Sequence, residues 1–324
     1  MRNSQPSASI STTSLSSLSS TSNDDSASNQ KLRADIKQFV DIIFTDSQSI
    51  SPEQKAEFGR LMRSSDARLL FAIFVDDYRS NSKRVSELTF YSLAQYFSIV
   101  LLECLLAEDF RPAKIIMTMM FTYYYEQNYD KIPPRDRPEL EYCSIQSKNE
   151  ATTHKDNVIK TDDDNLVTVR TYLYTLLKEQ AIFKSIRFWT SAFYESVIIE
   201  RNNHSVFVNR EKGKLSNERR NEELDCSKNI TFGLLGSFIH NMCLLELSHE
   251  FCQEFLDKHS TIAGLSEEQL EMLRTNLKSM FSEQTSSGAT SSLSTASERF
   301  STFLQRLGTK LNQSNNSTVQ NPPR

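Results

Sequence analysis

The stretch SELTFYSLAQYFSIVLLECLLAEDF, residues 86–110, sets the strongest limit on what this chain can fold into. Read as a helix, it carries apolar residues on more than half of its surface. A helix on the outside of a domain shows one apolar stripe, whereas one that is apolar on most sides has to be enclosed by other elements. Gly and Pro, at 7 and 8 residues in 324, are too scarce for the many tight turns of an all-β sandwich. The expected class is therefore all-α, a multi-helix domain built around this segment.

Its neighbour is FRPAKIIMTMMFTYYYEQ, residues 110–127. Pro112 suits a first helical position, and the spacing predicts a helix over 112–127, antiparallel to 87–108 across a short break. Successive helical residues lie about 100° apart, so Tyr123, Tyr124 and Tyr125 cannot share one face of it. Tyr125 is the one expected to reach solvent or a partner.

Upstream, Ile36, Phe39, Val40, Ile43 and Phe44 form a helical stripe. SPEQ at 51–54 reads as a capping box with Pro at the first helical position, and Leu69, Leu70, Ile73 and Phe74 mark a third helix. These make an N-terminal lobe over 31–127. Residues 128–169, with three prolines in KIPPRDRPELE and the acidic KTDDDN, read as a linker or insert. A C-terminal lobe follows over 170–282, the two lobes packing as one unit. It holds a stripe of Ile182, Ile186, Trp189, Phe193 and Val197, a charged connector over 209–224, and a helical run over 229–259 broken near Ser248. Gly233 and Gly236 are expected to permit close helix approach in that run. A further helix starts at Ser266 with Gln269 three residues on.

Residues 1–30 are half Ser and Thr with no aromatic side chain, a composition that predicts disorder and suits a phosphorylated tail. Ser and Thr return over 283–324, around an amphipathic helix expected near 293–311. Phe300, Phe303, Leu304 and Leu307 lie on its apolar face, which could meet its own domain, a partner's groove or a membrane surface.

The net charge of −4 comes with no basic stripe, which argues against nucleic acid as a partner. Five cysteines without CxxC spacing, and an N-terminus without an apolar signal core, point to a reducing compartment and a cytoplasmic protein. The greasiest run, 97–107, falls short of the roughly 18 residues a membrane span needs.

No GxGxxG, Walker A loop, GxSxG or HExxH is present, so no phosphate cradle, nucleophile elbow or metal pair announces an enzyme. No cofactor is called for. His240, Cys243, His249 and Cys252 have the residue types of a tetrahedral zinc site, but a core-rich helical region has little need of one, and a core role for the thiols is favoured. The aromatic cluster RFWTSAFY over 187–194 fits an interface anchored by Trp189 and Tyr194. The helical stripe favours burial for Trp189 instead.

Two blocks resemble known families. LTFY, LLECLLAEDFRPAK and MTMMFTYYY, within 85–126, resemble the helical middle region of the Set-binding-factor proteins, myotubularin-related pseudophosphatases that also carry a DENN module. IRFWTSAFYESVIIER (186–201), LLGSFIHNMCLLEL (234–247) and FLDKHSTIAGLSEEQLEMLRTNL (255–277) look like the C-terminal region of the DENN-containing Rab exchange factors named for MAP-kinase activation and a death domain. Both in one short chain look most like a family of animal cytoplasmic proteins that combine them. The resemblance covers about 35–127 and 170–280 and implies a helical scaffold of the kind found in trafficking and signalling. It implies no catalytic residue, because exchange and phosphatase-like activities belong to separate modules.

The expected function is a non-catalytic adaptor that binds protein partners through helical surfaces. The alternatives are peripheral membrane association through 293–311, and a metal protein or enzyme centred on His240 and Cys243.

Overall fold

The computed structural model describes residues 23–128, 158–160, 167–203 and 217–286. The fold is all-α with one small sheet. The helices are α1 (Asn23–Asp46), α2 (Pro52–Leu61), α3 (Ser65–Asn81), α4 (Glu87–Ala107) and α5 (Phe110–Met120), then a short α6 (Tyr174–Leu177) and α7 (Ile186–Asn203). They end with α8 (Asn217–Leu244), α9 (His249–Ala263) and α10 (Glu267–Ser286). Strands β1 (Tyr124–Asn128), β2 (Val158–Lys160) and β3 (Val167–Tyr172) form an antiparallel sheet in the order β1-β3-β2.

The helix starts follow the local chemistry. Gln54 N–H donates to Ser51 Oγ at 3.3 Å and Ser51 N–H to Gln54 Oε1 at 2.8 Å, closing the expected capping box on α2. Ser266 and Gln269 make the same exchange at 3.1 and 3.2 Å ahead of α10. The break near Ser248 is real: α8 ends at Leu244, and Ser248 Oγ accepts from Phe251 N–H to start α9. Gly264 closes α9 with φ 62°, a left-handed geometry that glycine adopts without a Cβ penalty.

Several expectations need correction. α1 begins at Asn23, inside the segment read as a disordered tail, and α8 begins at Asn217, inside the charged connector. In both, polar residues extend a helix anchored further on by apolar ones, because a helix growing from a packed nucleus adds one hydrogen bond per residue fixed. Gly233 has open space where a Cβ would go, so close helix approach is not its role.

The largest correction concerns the tyrosines. α5 stops at Met120, and the Thr122 hydroxyl turns back onto the Met119 carbonyl at 3.0 Å. The aromatic residues then suit an extended, pleated backbone better than another helical turn. Side chains alternate along a strand, so Tyr123 and Tyr125 go inward while Tyr124 turns outward. Tyr123 is fully buried and donates its hydroxyl to the Val75 carbonyl at 2.8 Å. Tyr125 lies in the core with its ring 4.6 Å from that of Phe90, which removes it as a partner-binding residue. Tyr124 instead stacks under the Arg170 guanidinium at 4.6 Å, and Arg170 pairs with Glu126 at 3.0 Å. The end of the expected helix 112–127 is thus a strand paired with β3, and β2 and the first residues of β3 lie within the stretch read as a linker.

One continuous apolar core runs through both expected lobes, from Ile36 in α1 to Leu277 in α10. α5 packs on both α3 and α4 and also on α7, which joins the two halves. The Phe110 and Phe188 rings meet edge-on at 6.0 Å, Gln180 donates to Ser98 Oγ at 3.2 Å, and Glu195 lies 3.5 Å from both Arg111 and Lys114.

Candidate protein-interaction site

α4 is the segment whose composition demanded enclosure, and one of its sides is enclosed. Thr89, Phe90, Leu93, Ala94, Tyr96, Phe97, Val100, Leu101 and Cys104 are buried, and burial pushes the Cys104 thiol up to about 12. Ser86 caps its start, its Oγ accepting from Thr89 N–H at 3.1 Å. Glu108 closes its end in a left-handed conformation, with Arg187 paired to its carboxylate.

The opposite side is not enclosed. Leu88 is 54% exposed, Tyr91 50%, Leu102 51% and Leu106 70%. With Gln95 and the half-buried Ile99 between them, these residues follow spacings of three and four. Leu106 lies eighteen positions beyond Leu88, which is five turns and about 27 Å of straight apolar stripe. Gln95 is its sole polar member, and no charge interrupts it. The Tyr91 ring rests 6.0 Å from that of Tyr125, so the buried tyrosine buttresses the exposed one.

Apolar periodicity could not single out these residues, because nearly every face of α4 is apolar. The available signal was the spacing of Leu88, Tyr91, Ile99, Leu102 and Leu106 along one line, and only the packing shows that this line stays outside. At 21 residues α4 also has the length that the 97–107 run lacked for crossing a membrane, although 44% of its most apolar window is buried inside the fold.

The other expected site residues fare unevenly. Trp189 is fully buried: its Nε1–H donates to the Phe183 carbonyl at 2.7 Å, and its ring meets those of Phe188 and Phe238 edge-on. It is a core residue and does not serve as an interface anchor. Tyr194 is at the surface, beside the exposed Ile198 and above His259, with ring centroids 5.4 Å apart. Phe300, Phe303, Leu304 and Leu307 lie outside the described residues.

The zinc-like set is not assembled. Among the described residues no three His, Cys, Asp or Glu side chains stand where they could hold a metal. Cys243 and Cys252 are buried and hydrogen-bond one another across the α8–α9 turn, and that bond together with burial pushes the Cys243 thiol far up. His240 is buried in α8, while His249 meets the Phe281 ring edge-on at 5.1 Å. Helical spacing brought each His one turn from its Cys, but tertiary packing spent the contact on a thiol pair.

Two histidines do carry a consequence. Burial lowers the pKa of His240 and of His259 to about 4 from an ordinary 6.5. His259 sits among the Phe193, Tyr194 and Phe255 rings with Nε2 3.2 Å from Thr190 Oγ1. The folded state keeps both rings neutral while the unfolded chain protonates them as the pH falls through 6.5. Stability is therefore complete above that value and declines as the pH drops towards 4, by about 3 kcal/mol per histidine over the whole window. Urea titrations at about pH 7 and about pH 5 check this: His259→Gln is expected to remove about 1.4 kcal/mol per pH unit from the slope of stability against pH. An unchanged slope would mean that His259 is already protonated in the fold.

No family model matches the chain. No solved structure matches it either. Its sequence is 32% identical to the human Uncharacterized protein KIAA0513, across 78% of this chain and 77% of that protein. With that identity sustained over more than three quarters of both sequences, the chain belongs to the KIAA0513 family.

Proposed function

We propose that the protein is a non-catalytic cytoplasmic adaptor in vesicle trafficking or signalling, and that it holds a protein partner on the outer face of α4. The uncovered stripe of Leu88, Tyr91, Leu102 and Leu106 carries this reading. Large apolar side chains left in line on a helix whose other side is core mark an interaction surface. The partner that fits is an amphipathic helix of about five turns, laying its own leucine-type stripe along α4. The likeness of 85–126 and 186–277 to helical regions of Set-binding-factor and DENN-containing proteins supports the same setting.

The test compares the full chain with Leu102→Asp plus Leu106→Asp by proximity labelling in cells, with circular dichroism as the check on folding. Both residues face outward, so the pair should fold normally and lose a defined subset of neighbours by about tenfold or more, the effect of removing two interface anchors. Deleting residues 1–22 should leave that subset intact. Identical neighbours for wild type and double variant would sink the proposal. A purified dimer that the same pair dissociates would assign the face to a second copy of the chain.

A further inference from the structure

A second open surface lies along α10. Along α10 runs a groove of about 600 Å³, lined among the described residues by Glu268, Glu271, Met272, Thr275, Asn276 and Ser279. These occupy one face of the helix, with steps of three and one along the chain. Met272 supplies an apolar floor packed against the core, and Glu268 and Glu271 put negative charge at one end. α10 ends at Ser286, and Leu293, the first member of the C-terminal apolar stripe, follows after six residues.

We propose that the groove seats the chain's own C-terminal segment, 293–311, folded back antiparallel along α10. Three observations converge on this occupant. First, six residues fall within the two to eight that join antiparallel helix neighbours. Second, placing Leu293 beside Ser286 fixes the register, because both helices rise by the same amount per residue. Phe300 then faces Ser279, Phe303 faces Asn276, Leu304 faces Thr275, Leu307 faces Met272 and Leu311 faces Glu268. Between 300 and 307 the stripe's steps of three, one and three mirror those of the groove between 279 and 272. Third, the same register puts Arg306 and Lys310 at the end where Glu268 and Glu271 lie, so opposite charges meet. Small residues on α10, Thr275, Asn276 and Ser279, oppose the segment's large ones, Leu304, Phe303 and Phe300, as interdigitating helices require.

The inference is independent of the α4 face and is tested on the full chain by cross-linking. Thr275→Cys plus Leu304→Cys should form a disulfide within one chain under mild oxidation, mapped by mass spectrometry. It should form about tenfold or more faster than in Thr275→Cys plus Thr302→Cys, because tethering confers high effective concentration on groups that face each other alone. Thr302 lies about 160° round the helix from Leu304.

A second measurement uses no added thiol. Hydrogen exchange across 268–282 should quicken by about tenfold in Phe300→Asp plus Phe303→Asp, since a helix that loses packing on one face opens more often. Equal cross-linking of the two pairs, or unchanged exchange, overturns the proposal. A disulfide found only between chains would hand the groove to a second copy. Vesicles of phosphatidylcholine and phosphatidylserine supply the last arm. If they bind the wild-type chain but not Phe300→Asp plus Phe303→Asp, and Thr275–Leu304 cross-linking fails, the segment is a membrane anchor and the groove is not its seat.

Discussion

Replacing Trp189 with Ala is expected to cost about 4 kcal/mol of stability, the range for emptying a large aromatic site in a packed core. The side chain is fully buried where α7 meets the Ala181–Lys184 turn and α8. Removing the ring leaves a cavity between Phe183, Phe188 and Phe238, and leaves the Phe183 carbonyl without its 2.7 Å donor. The two losses add, because an unpaired buried carbonyl has a desolvation cost of its own. Urea denaturation measures the effect as a lowered midpoint. Trp189→Phe keeps most of the volume and loses the N–H, so it should cost about 1–2 kcal/mol and remains measurable if the Ala variant does not fold. A stable Ala variant that loses partners would restore Trp189 as an interface anchor.

The second large effect is expected at Arg68, a charged residue only 2% exposed. Its Nη1 donates to the Met62 and Arg63 carbonyls at 2.9 and 3.0 Å, and its Nη2 and Nε to Asp109 Oδ2 at 2.8 and 3.1 Å. Ser65 Oγ adds a bond to the same carboxylate oxygen at 2.7 Å. One guanidinium thus ties the α2–α3 turn to the break between α4 and α5. Arg68→Met fills comparable space but leaves two carbonyls without their donor and a partly buried carboxylate without its counter-charge, still held by Ser65 Oγ. It should cost about 3 kcal/mol, the low end for breaking a buried pair, because Asp109 keeps some access to water. Asp109→Asn should cost less. The double variant should be less unstable than the sum of the two, since each single change has already broken the same pair. Strict additivity would show that Arg68 acts through its carbonyl bonds alone.

These two residues also show what could be read before the fold was known. Trp189 lay on a helical stripe, and its burial followed from the spacing. Arg68 gave no such signal: it sits between apolar positions of α3, and its partners at Met62, Arg63 and Asp109 meet it only once α2, α3 and α5 are in place. The metal-like set failed in the opposite direction. One-turn spacing placed His240 near Cys243 and His249 near Cys252, but whether two such pairs converge depends on how α8 and α9 cross, which no spacing within either helix encodes.

The sequence by itself determined what depends on neighbours three or four residues away. The capping boxes at Ser51 and Ser266, the start of α9 at Ser248, and the apolar stripes of α1, α3 and α7 are contacts within one or two turns, and they form wherever the chain places them. Tertiary structure alone decided two other things. Tyr124 and Tyr125 became strand because β3, more than forty residues further along the chain, offers them a hydrogen-bonded partner, and a ladder between distant segments outweighs the local preference to extend a helix. α4 was apolar on nearly every side, so its sequence required neighbours without saying which side would lack one. The side carrying Leu88, Tyr91, Leu102 and Leu106 was left open by how the surrounding helices pack, and that is the face on which the proposed function rests.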